Sequence, residues 1–270
     1  MKYCVPYYRA FRYMDQVDEI IIPYDEKDVN FIQSVLKKEQ LKNKTLIMDI
    51  ENAEAFQKNN TIQVFAELQQ KDYNLKLRFD NYNEDMKDVY QELKQMNIPF
   101  FFALYVRHWD VFTHLVNLGV SDIYVIEELA FELNLLGPVA HAKDISIRVF
   151  ANVAQSSCDE NYSVKSFFIR PEDVIVYAPY VDVIEFLGEG KEIQETLYKI
   201  YAIKGKWIGD LNELIMGLMD SIPNKSIIPA IFGEVRAKCG KKCLKGGKCN
   251  ICTSVVNTAK ALDEKDLIFK

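Results

Sequence analysis

Short apolar runs alternate with helix-patterned segments along most of this 270-residue chain. The runs are EIIIPY at 19–24, TLIMDI at 45–50, LKLRFD at 75–80 and PFFFALYV at 99–106. They continue with DIYVIE at 122–127, SIRVFANVA at 146–154, SFFIRP at 166–171 and VDVIEFLG at 181–188. Each is nearly continuous in β-branched and aromatic residues, which is how strands covered on both faces of a parallel sheet read. Between them stand DVNFIQSVLKKE, NEDMKDVYQELKQM and HWDVFTHLVNLG, whose apolar residues three and four apart make one face of an amphipathic helix. Asp28 and Asn83 suit helix N-caps, and Gly119 stands where a helix should stop before the next strand. Eight strands, seven crossovers and a closing helix near 193–204 count out a (β/α)8 barrel. The competing open, doubly wound sheet has no Gly-x-Gly-x-x-Gly after any strand to support a dinucleotide site. The expected architecture is a (β/α)8 TIM-like barrel over 1–228 and a small cysteine-rich, metal-binding appendage over 229–270.

The appendage is defined by Cys239, Cys243, Cys249 and Cys252, in the pattern C-x3-C-x5-C-x2-C. Thiols this close in sequence converge on a shared ion or cluster, and Gly240, Gly246 and Gly247 allow the tight turns. The lysines between them lower thiol pKa and offset thiolate charge. The N-terminus, MKYCVPYYRAFRYMDQ, has no basic flank followed by an apolar stretch, so it does not read as a secretory leader. Six cysteines without a leader point to a reducing, cytoplasmic setting, where metal binding is expected over disulfides. Zinc ribbons separate their cysteine pairs by about 12–20 residues. The gap of five found here is closer to compact iron–sulfur ligation. A 4Fe–4S cluster is therefore the expected cofactor, with zinc as the alternative. The segment is too short to own a core, so its metal and its docking would hold it.

A net charge of −6 gives the whole chain no pull toward nucleic acid, and no apolar run is long enough to span a membrane. Positive charge is concentrated in the cysteine segment itself, at Arg236, Lys238, Lys241, Lys242, Lys245 and Lys248, which suits a local contact with RNA or another anion.

In a (β/α)8 barrel, chemistry belongs at the C-terminal ends of the strands. Asp49, Asp80 and Glu185 fall there and are the acid–base candidates. Asp49 and Glu51 are two apart on one strand beside Asp25 and Asp80, and at most one of the pair is expected to join them in the barrel mouth. Asn152 and Gln155 after the sixth run, with Arg170 at the tip of the seventh, are candidates for substrate binding. A fixed arginine fork suits a carboxylate or phosphate. A plainer role for Arg170 is pairing with Glu172 and Asp173, which follow Pro171 as a helix first turn would. His108 and His114, six apart, lack a metal-ligand spacing, and a structural role is expected for both and for His141. No G-x-S-x-G or H-E-x-x-H is present.

DIYVIEELAF, then SIRVFANVAQSS, then FFIRPEDVIVYAPYVDVIEFLGEG, resembles the second half of the collagenase-like peptidase family, over about residues 120–190. Despite the name, members of that family are iron–sulfur proteins. They take part in oxygen-independent hydroxylation of transfer RNA, ribosomal RNA or ubiquinone precursors, some with prephenate as the oxygen source. The resemblance implies a barrel, an iron–sulfur centre and a hydroxylase or related redox activity on a small-molecule or RNA-borne substrate. The chain departs from the family in two ways. The family's cysteines begin just after strand six, where only Cys158 stands here, and its N-terminal glycine-rich motif is missing. A zinc-stabilised binding or scaffold protein on a barrel is the alternative, and a peptidase a second one. If 229–270 is an appendage, Cys249→Ala should lose the bound metal in elemental analysis while the barrel keeps its unfolding transition. Loss of the whole cooperative transition would contradict that organisation.

Overall fold

The computed structural model describes residues 1–24, 41, 43–50, 56, 65, 73–130, 132–154, 167–208 and 210–218. Gln155 and all four clustered cysteines lie outside these, as does the 229–270 segment. Eight strands form a closed barrel in sequence order: β1 (Lys2–Pro6), β2 (Glu19–Tyr24), β3 (Thr45–Ile50), β4 (Asn74–Phe79), β5 (Phe100–Val106), β6 (Asp122–Val125), β7 (Ser146–Phe150) and β8 (Val183–Glu185). Pairing is parallel, and β8 returns to β1 with Lys2 opposite Val183. Parallel neighbours require crossovers, and helices stand between strands in the chain accordingly.

Two strand assignments made from the sequence need correction. The first strand is Lys2–Pro6, which the apolar runs do not include. The 166–171 run is not a barrel strand: Ile169 donates its N–H to the Ala151 carbonyl at 3.0 Å, and the chain enters a 3-10 turn at Pro171. Phe167, Phe168 and Ile169 are all buried. A buried apolar run of that length has the same periodicity whether or not it pairs in a sheet. KYCVP, with only Cys4 and Val5 fully buried, has too little apolar sequence to stand out. The two differences cancel, so eight strands are found where eight are expected.

Alternate side chains along the strands differ sharply in character. One row is apolar and buried: Val5, Ile20, Ile22, Leu46, Met48, Leu75, Leu77, Phe100, Phe102, Ile123, Ile147 and Ile184. Full burial of each such side chain is worth about 1.5–3 kcal/mol. The other row carries Glu19, Asp49, Lys76, Arg78, Asp122, Tyr124, Arg148 and Glu185. Members of this second row touch partners on non-adjacent strands, which only the barrel interior permits. The barrel is therefore apolar outside, and within it these charges stand among buried apolar residues such as Ile21, Ile47 and Phe101.

The described chain forms two compact units. The first holds Met1–Tyr124, Ala140–Arg148 and Asp182–Glu185. In it, helix α1 (Lys87–Gln95) buries Val89, Tyr90 and Leu93. Tyr90 stacks on Phe100 at 5.6 Å and meets Phe102 edge-on at 5.1 Å. The Asn83 side chain accepts from the Asp85 N–H, the cap expected from the sequence. Helix α2 (Trp109–Leu118) ends at Gly119, whose φ of 83° is the left-handed conformation that glycine adopts cheaply. Asp182 closes the seam of the sheet: its carboxylate accepts from the Ile147 N–H at 2.8 Å, and its carbonyl accepts from the Lys2 N–H at 2.7 Å.

The second unit takes the described residues of Val125–Val139, of Val149–Val181 and of 186–218. It contains helices α3 (Glu127–Ala130), α4 (Leu133–His141, whose last two residues belong to the first unit), α5 (Val174–Tyr177), α6 (Lys191–Tyr198) and α7 (Leu211–Leu214). Helix α6 runs directly into a π-helical turn at Lys199–Lys204, which matches the closing helix expected near 193–204. Among the described residues, no helix is long and apolar enough to cross a membrane.

Candidate functional site

The ionic row inside the barrel sorts into two layers by position along the strands. Toward the N-terminal ends, Glu19 opens β2, Asp122 opens β6, and Lys76 reaches in from β4. Lys76 Nζ donates to both Asp122 oxygens at 2.9 and 2.8 Å, and Ser121 Oγ donates to Oδ2 at 2.7 Å. Glu19 Oε1 is buried without a hydrogen bond, 3.6 Å from Lys2 Nζ and 3.9 Å from Lys76 Nζ.

Toward the C-terminal ends stand Asp49 of β3, Arg78 of β4, Tyr105 of β5, Tyr124 of β6 and Glu185 of β8. Asp49 and Arg78 are directly opposite in the β3–β4 register, so their side chains emerge side by side. Arg78 donates from Nε and Nη2 to the two Asp49 oxygens at 2.7 and 2.5 Å, a bidentate fork. Its Nη1 donates to the Tyr124 hydroxyl at 3.1 Å. That hydroxyl donates onward to Glu185 Oε1 at 2.8 Å, and Glu185 Oε2 lies 3.9 Å from Arg78 Nη1.

Arg148 joins the layers from the middle of β7. Its Nε donates to Glu185 Oε1 at 2.9 Å, and its Nη1 to Asp122 Oδ1 at 2.9 Å and Glu19 Oε2 at 2.7 Å. Nη2 makes a further short contact with the same Glu19 oxygen. The guanidinium also lies 4.9 Å from the Phe101 ring centroid. One cation thus holds three carboxylates from three strands, itself wholly buried.

Burial and charge set the protonation of these groups. Burial works against charge on both arginines, yet the carboxylates around them hold Arg78 and Arg148 above the ordinary arginine range. Burial also pushes Asp122 upward, but Arg148 and Lys76 outweigh it and keep its carboxyl below the usual value. Burial pushes the Glu19 carboxyl up in spite of the same two cations. The Tyr124 hydroxyl is driven well up by burial and by Glu185, and Tyr105 is raised by the same causes in that order. Both phenols therefore stay protonated and act as hydrogen-bond donors rather than bases. Cys4 is buried, and burial together with Glu185 raises its thiol well above the ordinary value. A thiol so placed lacks thiolate character, so it does not supply a peptidase nucleophile.

Two of the residues singled out from the sequence meet here: Asp49 and Glu185 are linked through Arg78 and Tyr124. Asp80 is exposed, one residue past β4, outside this network. Asn152 is buried and its side-chain amide is matched to the Leu187 backbone, accepting from the N–H at 2.8 Å and donating to the carbonyl at 2.7 Å. Arg170 is buried in a bidentate pair with Asp173, at 2.6 and 2.7 Å. His141 Nε2 lies 2.9 Å from Asp182 Oδ2, and His114 packs edge-on to Tyr82 at 5.1 Å. Gln155, Cys239, Cys243, Cys249 and Cys252 lie outside the described residues.

Sequence reading did not single out Glu19, Lys76, Arg78, Asp122, Tyr124 or Arg148. The available signal was a charge at alternate positions of a strand otherwise covered on both faces, as in LKLRF and SIRVF. Such a charge has nowhere to go but the barrel interior. Among the described residues, no group of three or more His, Cys, Asp or Glu side chains could hold a metal ion. In comparisons with known proteins, no protein-family model, no curated protein and no solved structure matches this chain.

The raised phenols, Tyr124 buried and Tyr105 partly exposed, give the fold an alkaline limit. An unfolded tyrosine ionises near 10, whereas Tyr105 and Tyr124 remain protonated above that in the folded chain. Their contribution to stability is fully present below pH 10 and is lost as pH rises through their raised folded values. The urea midpoint should fall across that range, and Tyr124→Phe should make the fall shallower. Identical slopes for the two proteins would contradict the assignment.

Proposed function

We propose that this chain is a barrel enzyme that works at the C-terminal ends of its strands and carries an iron–sulfur cluster on its C-terminal cysteines. The substrate is a small organic molecule, free or borne on RNA, and the chemistry is an oxygen-independent hydroxylation or a related redox modification. The observation that carries the reading is the constellation of Asp49, Arg78, Tyr124 and Glu185, converging from four strands at the end of a barrel where such enzymes react. An apolar filling would stabilise a barrel as well or better, because burying ions costs several kcal/mol each before their pairing offsets it. Keeping two acids, a guanidinium and a phenol fixed at one end supports a role in binding and polarising a ligand.

The cluster reading is supported by donor chemistry. Cys239, Cys243, Cys249 and Cys252 offer four soft thiolates within fourteen residues, a set that suits iron–sulfur or zinc, and the short central gap favours the former. When bound, such a cluster supplies electron transfer or holds a reacting group. The basic residues around it suit a phosphate backbone, which supports an RNA-borne substrate.

Purification under anaerobic conditions with iron, sulfide and zinc analysis tests this directly. About four irons per chain with broad visible absorption are expected. One zinc per chain and no colour would overturn the redox reading in favour of a structural metal on a binding or scaffold barrel.

A further inference from the structure

We propose that the open end of the barrel binds the carboxylate of a small organic monoanion at Arg78, with Tyr105 as the wall against which the rest of the ligand lies. This rests on reading that end as the ligand-binding end, and it names the ligand's chemistry.

A guanidinium has five N–H groups. Arg78 uses one on Nε and one on Nη2 for Asp49, and one on Nη1 for the Tyr124 hydroxyl. Two remain, one on each terminal nitrogen. The Arg78 side chain is 16% exposed and that of Asp49 15%, whereas Glu185 behind them is at 4%. The fork is thus gripped from one side by Asp49, fixed in orientation, and reached by solvent. A guanidinium held this way loses little rotamer freedom when it engages a ligand, and two N–H groups on adjacent nitrogens match the two oxygens of a carboxylate.

Charge selects among anions. Arg78, Arg148 and Lys76 face Asp49, Glu185, Glu19 and Asp122, so the connected set has one more carboxylate than cation, with Lys2 at its rim to offset it. A singly charged group adds one negative charge beside two existing carboxylates. A phosphate dianion adds nearly two, against the same neighbours and in a site largely shielded from solvent, where repulsion is weakly screened. A carboxylate is the better match.

Tyr105 supplies the second half of the site. It is the penultimate residue of β5, 41% exposed, and its ring meets Tyr124 edge-on with centroids 6.1 Å apart. Arg78 and Glu185 both act electrostatically on its hydroxyl, which places it beside the fork. An exposed aromatic ring next to a carboxylate-binding fork favours a ligand with an apolar or aromatic body.

The test is calorimetric titration of the full chain, as purified, with benzoate, acetate and inorganic phosphate at one ionic strength. Benzoate should bind saturably and more tightly than either of the others. Arg78→Lys should weaken benzoate about tenfold or more, since the ammonium cannot present a planar fork. Tyr105→Ala alters an exposed side chain, so this variant should fold. It should weaken benzoate several-fold and leave acetate nearly unchanged. Phosphate binding tighter than benzoate, or benzoate binding indifferent to Tyr105→Ala, would overturn the assignment. The metal content of the same preparation separates the two proposals. Benzoate binding in a zinc-containing chain would sink the redox reading and leave this one standing. An iron-loaded chain that ignores benzoate would sink this one alone.

Discussion

The interior of this barrel depends on Arg148. Its guanidinium sits where apolar side chains commonly fill a (β/α)8 core, and it is the only described group that touches carboxylates of both layers. Moving such an ion out of water costs several kcal/mol, and three carboxylates in contact with it incur similar costs. The arrangement persists because every charge is met: Glu19, Asp122 and Glu185 each accept from Arg148, while Lys76 covers Asp122 from the other side. Removal of one partner leaves a buried charge uncompensated, so these residues stand or fall together. The same interlocking fixes the register of β2, β6, β7 and β8, because a one-residue slip would turn each of these side chains outward into an apolar layer.

Rigidity below has a consequence above. Glu185 is held by Arg148 and by the Tyr124 hydroxyl, and Tyr124 in turn accepts from Arg78. Arg78 is steered by Asp49 from the neighbouring strand. Side chains at the solvent-reached end are therefore held in fixed orientations. Fixed dipoles of this kind favour a developing or incoming charge without reorganising, which is what binding and catalysis at such a site require. With both phenols kept protonated, the donors there are the Arg78 guanidinium and two hydroxyls, and the acceptors are Asp49 and Glu185.

Much of the fold is legible in the sequence because covered parallel strands are nearly continuous apolar runs. Helix boundaries are marked by residues with a local reason to be there, as at Asn83 and Gly119. The first strand was hidden because only two of its five residues carry the apolar signal. The run at 166–171 misled for the opposite reason, since three buried apolar residues look like a strand whether or not they pair. Asp49 and Glu185 were legible as residues at the C-terminal strand ends, and the structure links them through Arg78 and Tyr124. Arg170 and Asn152 sit at comparable positions in the sequence, yet their polar groups are matched to Asp173 and to the Leu187 backbone. Local sequence shows which residues reach a strand end and not which partner claims them. Lys76, Arg78 and Arg148 are hard to see in the sequence because flanking apolar residues dominate any windowed reading, although a charge in mid-strand is the stronger clue.

A double-mutant cycle between Arg148 and Glu19 tests most directly whether the cross-barrel cation organises the interior. Stability would be measured by urea unfolding for Arg148→Met, Glu19→Gln and the pair. Each single change is expected to destabilise by about 3–5 kcal/mol, with the double variant recovering at least about 1 kcal/mol of their sum. Two small and additive effects would show that the barrel does not depend on this ion, and would contradict the organisation described above.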